Sequence, residues 1–161
     1  MSLTIRAAEP QDAALVLSLV RELADYEKLS HTVEADEAMI AASLFGAQPR
    51  VFCDIAEWDG APAGFALWFY NYSTFKGRHG LYLEDLFVRP AFRGHGIGKA
   101  LLAQLAERCQ REGLGRFEWS VLDWNASSIA FYESLGAAHM KEWQIFRLAG
   151  EAMAELGKPK Q

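Results

Sequence analysis

Residues 83–102 read LEDLFVRPAFRGHGIGKALL. The apolar run Leu83 and Leu86–Val88 is interrupted by Glu84 and Asp85 and stopped at Pro90. Three alternating glycines follow, Gly94, Gly96 and Gly98, before a second apolar-periodic stretch opens beyond Lys99. The run predicts a buried strand from Leu81 to Val88, and the glycines a sharp turn. Leu101, Leu102, Leu105, Ala106 and Cys109 then form one face of a helix that Gly113 ends. Strand, glycine loop and helix start, in that order, build an anion cradle: backbone N–H groups freed by glycine and the unpaired donors of a helix's first turn converge on one space. Two familiar phosphate loops do not fit. GxGxxG meets Lys99 at its last position when counted from Gly94, and Leu101 when counted from Gly96. The P-loop needs glycine at Arg93 and Ser or Thr at Ala100. From Lys76 to Lys99, five bases (Lys76, Arg78, Arg89, Arg93, Lys99) stand against two acids, although the chain has 16 basic and 21 acidic residues. That local reversal of charge supports a bound anion.

Outward from this stretch the pattern is mixed. LTIRAA alternates like a short strand. A helix follows Pro10 to Tyr26, with Leu15, Val16, Leu19, Val20 and Leu23 on one face. VEADEAMIAASLFG predicts a second helix, with Gly46 left-handed past its end. RVFCDIAEW and APAGFALWFYNY flank Asp59–Gly60, a hairpin signal, and are expected to be antiparallel. STFKGRHG reads as a loop and RFEWSV as a strand. DWNASSIAFYESLG reads as a short helix capped by Asn125 and closed by Gly136, and HMKEWQIFRL as a returning strand. These elements predict an α/β (α+β) chain, one domain over residues 1–161, with a mixed, mostly antiparallel central sheet flanked by helices.

Composition narrows the function. With 161 residues, 51% hydrophobic, and a formal net charge of −5, the chain is expected to bind neither nucleic acid nor an anionic membrane, and a cationic substrate suits it better. No apolar stretch reaches about 20 residues, and the start lacks a basic segment before an apolar run, so a cytoplasmic protein is expected. Cys53 and Cys109 stand alone, and the four histidines are not spaced as zinc ligands, so no metal is expected.

The motif that does fit the loop is Arg93-x-x-Gly96-x-Gly98. It resembles the Q/R-x-x-G-x-G/A loop of the GNAT acetyltransferase superfamily, which holds the pyrophosphate of acetyl-CoA. DWNASSIAFYESLGA resembles that superfamily's second signature. RELADYEKLS, YSTFKGR, LYLEDLFV, RGHGIG and VLDWN together are similar to the diamine (spermidine/spermine) acetyltransferase family. The first, second and last are closer to its thialysine-acetylating branch. The polyamine branch has Asp-Pro-Trp where this chain has Ser73-Thr74-Phe75.

The resemblance implies a GNAT-type fold, acetyl-CoA as co-substrate, a homodimer and acetylation of a small-molecule amine. It implies a cofactor site from Leu86, Val88, Arg93, Gly94, His95, Gly96, Ile97, Gly98, Lys99, Asn125 and Tyr132. Amine acetylation needs a neutral nitrogen, whereas a lysine-like amine of pKa about 10.4 is protonated at neutral pH. Glu84 matches the family's base, and Tyr132, a phenol able to protonate the departing thiolate, matches its acid. Asp85 points to the opposite face if the strand is regular, while a bulge would bring both acids to the site. Tyr26, Glu27, Glu84, Asp85, Glu142 and Trp143 carry over as the amine pocket; apart from the resemblance, Arg78 is expected as a partner for an amino-acid substrate's carboxylate. Cys53 and Cys109 read as core thiols, which favours direct attack in a ternary complex. Two other readings stay open: acetylation of a protein N-terminus or lysine, and a catalytically silent acyl-CoA-binding module.

Overall fold

Asp59 and Gly60, with φ of 49° and 80°, turn the chain between β2 (Phe52–Trp58) and β3 (Ala61–Ser73), as a two-residue hairpin with left-handed central residues requires. This hairpin is the middle of a sheet ordered β1-β2-β3-β4-β5, where β1 is Leu3–Ala7, β4 Arg78–Val88 and β5 Phe117–Trp119. Every pairing is antiparallel except β4–β5, which is parallel. The computed structural model describes residues 1–160. It divides into two compact units, Met1–Leu122 and a second that starts at Asp123.

In the first unit, helices α1 (Ala13–Tyr26) and α2 (Glu37–Phe45) supply Val16, Leu19 and Leu44 to a core with Cys53, Ile55, Phe65 and Phe87. Helix α3 (Ile97–Glu112) buries Ile97, Leu101, Leu102, Leu105 and Cys109, whereas Ala106, expected on the same face, is exposed. Pro10 lies in a 3-10 turn, and α1 begins only after Asp12. The Asp12 carboxylate accepts from Arg6 Nη1 at 2.7 Å, Arg6 Nη2 at 3.1 Å and Glu9 N at 2.8 Å. The Arg6 guanidinium holds this carboxyl below the usual range.

Three local expectations change. Gly46 is not left-handed (φ −68°). It is needed because a Cβ there would sit 2.5 Å from the Ala42 carbonyl oxygen. The loop after β3 is only Thr74–Gly77, since Tyr72 pairs with His79 and Ser73 with Arg78, extending the hairpin at both strands. RFEWSV contributes only Phe117–Trp119.

The second unit contains α4 (Ala126–Ser134) and α5 (Gly150–Leu156), the latter not expected from the sequence. Asn125 Oδ1 accepts from Ser128 N at 3.3 Å, and Gly136 closes the turn after α4 at φ 91°. The expected strand over residues 139–148 does not form. Alternating apolar residues make a strand only where a neighbouring edge takes their backbone hydrogen bonds, and the second unit has no described strand to offer one.

Candidate active site

Strand β4 meets β5 through three residues only: Leu81 opposite Phe117, Tyr82 opposite Glu118 and Leu83 opposite Trp119. Beyond Leu83 the β5-side edge of β4, from Glu84 to Val88, pairs with no described strand. Leu86 and Val88, expected to offer backbone N–H groups to a thioester, lie on this open edge. An acyl-carrying arm could add to it as a further strand would.

At its end β4 passes into a 3-10 turn, Pro90–Phe92, and then into the glycine loop. Arg93 Nε donates to the Val88 carbonyl at 3.0 Å, and His95 Nδ1 lies 3.0 Å from that of Phe92. Gly94 and Gly96 are left-handed (φ 83° and 75°), and a Cβ built on either would meet nothing within 4 Å. Backbone conformation therefore selects glycine at both, and the space before them is open. Gly96 caps α3, whose first turn carries Ile97, Gly98 and Lys99. These residues fit a pyrophosphate: exposed N–H groups at a helix start, no side chain in front, and Lys99 exposed beside them.

The structure reduces the positive charge assigned to this loop. Arg89 is committed to Glu22 of α1, with Nη2–Oε1 at 2.8 Å and Nε–Oε2 at 3.0 Å, and its Nη1 donates to the Pro62 carbonyl at 2.9 Å. Lys76 and Arg78 lie against Gly115 at the opposite end of β4. Arg78 is seven strand residues from Asp85, about 23 Å of extended chain, too far to share a small substrate with it within one chain. Arg93 and Lys99 remain. The Arg93 guanidinium lies 5.0 Å from the Tyr26 ring centre and 5.7 Å from that of Phe87, which ties the loop to the end of α1.

Beside that contact the acids gather. Glu27 caps α1, its N–H donating to the Leu23 carbonyl at 2.9 Å, and burial raises its carboxyl pKa. Asp85 is pushed up to about 7, first by burial and then by the charges of Glu84 and Glu27. Glu84 is exposed and Asp85 half-buried. Among the described residues neither Asp85 nor Glu84 forms an ion pair. Burial keeps the Cys53 thiol protonated, so it is not an activated nucleophile.

Asn125, Tyr132, Glu142 and Trp143 belong to the second unit. Tyr132 is a half-buried residue of α4 whose ring lies 5.6 Å from that of Phe131. Glu142 and Trp143 are exposed in chain without regular structure, Trp143 at 73%. Ser73-Thr74-Phe75 sits at the far turn of the β3–β4 hairpin, with Ser73 buried and Phe75 96% exposed. The Arg89–Glu22 clamp was not foreseen. Its only signal was Arg89 immediately before Pro90, which reads equally as a base of the anion site.

Residues 16–137 match the acetyltransferase (GNAT) family. The chain belongs to that family. It is 41% identical over 163 residues to a thialysine N-epsilon-acetyltransferase of Bos taurus, covering 94% of this chain and 95% of the relative. It is 33% identical to an L-ornithine N5-acetyltransferase of Arabidopsis thaliana, covering 96% of this chain and 87% of the relative. A solved integron cassette protein from the mobile metagenome of V. cholerae shares the fold with a TM-score of 0.82 at 26% identity, each chain covered to 99%. This GNAT chain is thus an acyltransferase enzyme, and the family's acetyl-CoA suits the glycine loop and open β4 edge.

Proposed function

We propose that the enzyme acetylates the terminal amine of a small cationic substrate, namely thialysine, a lysine-like amino acid or a short diamine, using acetyl-CoA. The observation that carries this is the group Glu27, Glu84 and Asp85, carboxylates without a cationic partner beside the loop that Arg93 ties to Tyr26. An ammonium substrate supplies the missing charge. The relatives' substrates, thialysine and ornithine, are amino acids with a terminal amine and support the same class.

In this reading residues 1–161 act as one catalytic domain, working in the cytoplasm as a homodimer. Backbone groups of Gly94, His95, Gly96, Ile97, Gly98 and Lys99 hold the pyrophosphate, and the β4 edge at Leu86 and Val88 holds the acyl arm and polarises the thioester carbonyl. Asn125 binds the same arm. The acids take the ammonium and relieve it of a proton, after which the free amine attacks directly. Tyr132 protonates the leaving sulfur. A competition assay with thialysine and spermine at equal concentration, read by product mass, tests the substrate class. Preference for thialysine is expected, and preference for spermine overturns the branch assignment.

A further inference from the structure

We infer that Asp85, rather than Glu84, is the residue that accepts the proton from the substrate ammonium. This rests on the amine-acetylating reading above. The register carries it. Trp68 of β3 lies opposite Leu83, and Leu67, the adjacent residue, lies opposite Asp85, so β4 advances two residues while β3 advances one. Glu84 is the extra residue of a β-bulge, and a bulge reverses the alternation of the strand that contains it. In a regular strand Leu83 and Asp85 would share a face.

Here they are divided. Leu83 goes with Trp68, over whose ring the Arg108 guanidinium of α3 lies at 4.8 Å. Asp85 goes with Leu67 and Phe87, which pack in the cluster that α1 and α2 cover. The bulge thus inserts a carboxylate into a row of apolar positions on the α1 face and leaves Glu84 in solvent. The titratable and charged groups that act on Asp85 are Glu84 on its own strand, Glu27 at the end of α1 and the Cys53 thiol of β2, while the nearest cation of the loop, Arg93, is spread over the Tyr26 and Phe87 rings. No hydrogen bond or ion pair is formed by the Asp85 carboxylate among the described residues, yet its oxygens are not sealed from solvent. A carboxylate so placed is costly unless a cation or a proton reaches it. Burial and the two neighbouring acids raise its affinity for a proton into the neutral range, where a general base works best.

The step balances. The substrate ammonium loses one proton to Asp85, which releases it to solvent, and the freed lone pair forms the new C–N bond. The C–S bond breaks, the sulfur is protonated, and the second nitrogen proton replaces the one that the sulfur took. Ammonium and acetyl-CoA become amide, CoA thiol and one proton.

The test is the pH dependence of kcat/KM with thialysine, together with acetyl-CoA affinity, for wild type, Asp85→Asn, Glu84→Gln and Glu27→Gln. Wild type is expected to lose activity below about pH 7 along one acidic limb. Asp85→Asn should cut kcat by about a hundredfold or more and remove that limb, with acetyl-CoA binding retained. Glu84→Gln and Glu27→Gln should keep the limb but move it to lower pH, since each removes a charge that raises Asp85. A Glu84→Gln enzyme without the limb, beside an Asp85→Asn enzyme that keeps it, overturns the assignment. If Asp85→Asn does not fold, the Glu27→Gln limb decides: a shift supports Asp85, and an unmoved limb overturns it. Absence of turnover by wild type with every small amine would refute the functional reading itself.

Discussion

Arg89 and Glu22 join the exit of β4 to the middle of α1 through two parallel N–H···O contacts of 2.8 and 3.0 Å. Four residues further along α1 stands Tyr26, the ring beneath Arg93, and then Glu27. The clamp therefore sets where the acid group lies relative to the glycine loop.

Arg89→Ala should raise KM for the amine more than KM for acetyl-CoA, because the loop backbone stays while the end of α1 loosens. The pair is about one-third exposed, which limits its share of stability to about 1 kcal/mol, a Tm loss of about 2–4 °C. Arg89 lowers the Glu22 pKa below its ordinary 4.5. The stabilisation is therefore present above that value and disappears as pH falls through the depressed one. Wild type and Arg89→Ala should differ in Tm at pH 7 and converge at acid pH once Glu22 is protonated, as thermal melts would show.

Gly96 and Gly98 separate the loop's shape from its ligand. Gly96→Val forces a β-branched residue to φ 75°, so both Tm and acetyl-CoA binding should fall. Gly98 is not left-handed, and its added Cβ would make an ordinary contact 3.8 Å from Val88 Cγ2. Gly98→Ala should thus hold or raise Tm, by up to about 1 kcal/mol of helix propensity, while raising KM for acetyl-CoA about tenfold. An unchanged KM in Gly98→Ala would remove this residue from the pyrophosphate site.

Asp85 makes the fold less stable at high pH. Its folded pKa of about 7 exceeds the ordinary 3.8, so the folded state binds more protons than the unfolded state between those values. Stability declines as pH rises through that window, and the cost is complete above about 7. Asp85→Asn is expected to melt above wild type at pH 8, by about 2–4 °C for each kcal/mol relieved. The gap should close towards pH 4.

Much of this was legible locally. The Asp59–Gly60 turn, the Asn125 cap and the Gly113 stop follow from conformational demands within a few residues. The bulge at Glu84 did not, because register is a property of two strands, and nothing in LEDLF distinguishes a regular strand from one that advances two residues against Leu67 and Trp68. In sequence Arg89 reads as a base of the anion site because its partner, Glu22, lies 67 residues away. For residues 139–148 alternation was visible, but alternation does not reveal whether a partner edge exists.

Tyr132→Phe isolates the leaving-group step. A phenol of pKa about 10 can donate to a thiolate whose acid is near 8.5, whereas phenylalanine keeps the half-buried ring and removes the hydroxyl that would donate. Turnover should drop about a hundredfold with acetyl-CoA affinity little changed, read by thiol release and by binding titration. Near wild-type turnover, with chemistry rate-limiting, would mean that another group protonates the sulfur.

The exposed apolar segment around Trp143 bears on the proposed homodimer. Met140, Trp143, Ile145, Phe146 and Leu148 are exposed, Phe146 at 91%, on chain that pairs with no strand, while β5 ends the sheet with one paired side. An exposed apolar segment and an edge strand with one side unpaired among the described strands both lower their free energy by pairing, and two copies can supply each other. Trp143 and Phe146 bury about 150–250 Å² each when covered, so two copies contribute on the order of 600–1,000 Å² from these rings alone. With Ile145 and Leu148 added, the total approaches the roughly 1,200 Å² of a specific interface. Sedimentation should therefore give twice the 18.0 kDa chain mass at micromolar concentration. Ile145→Asp with Phe146→Asp, two charges placed on the covered row, should shift the enzyme to monomer. Dimerisation unaffected by both substitutions would place the interface elsewhere, and a monomeric wild type would remove the dimer from the proposal.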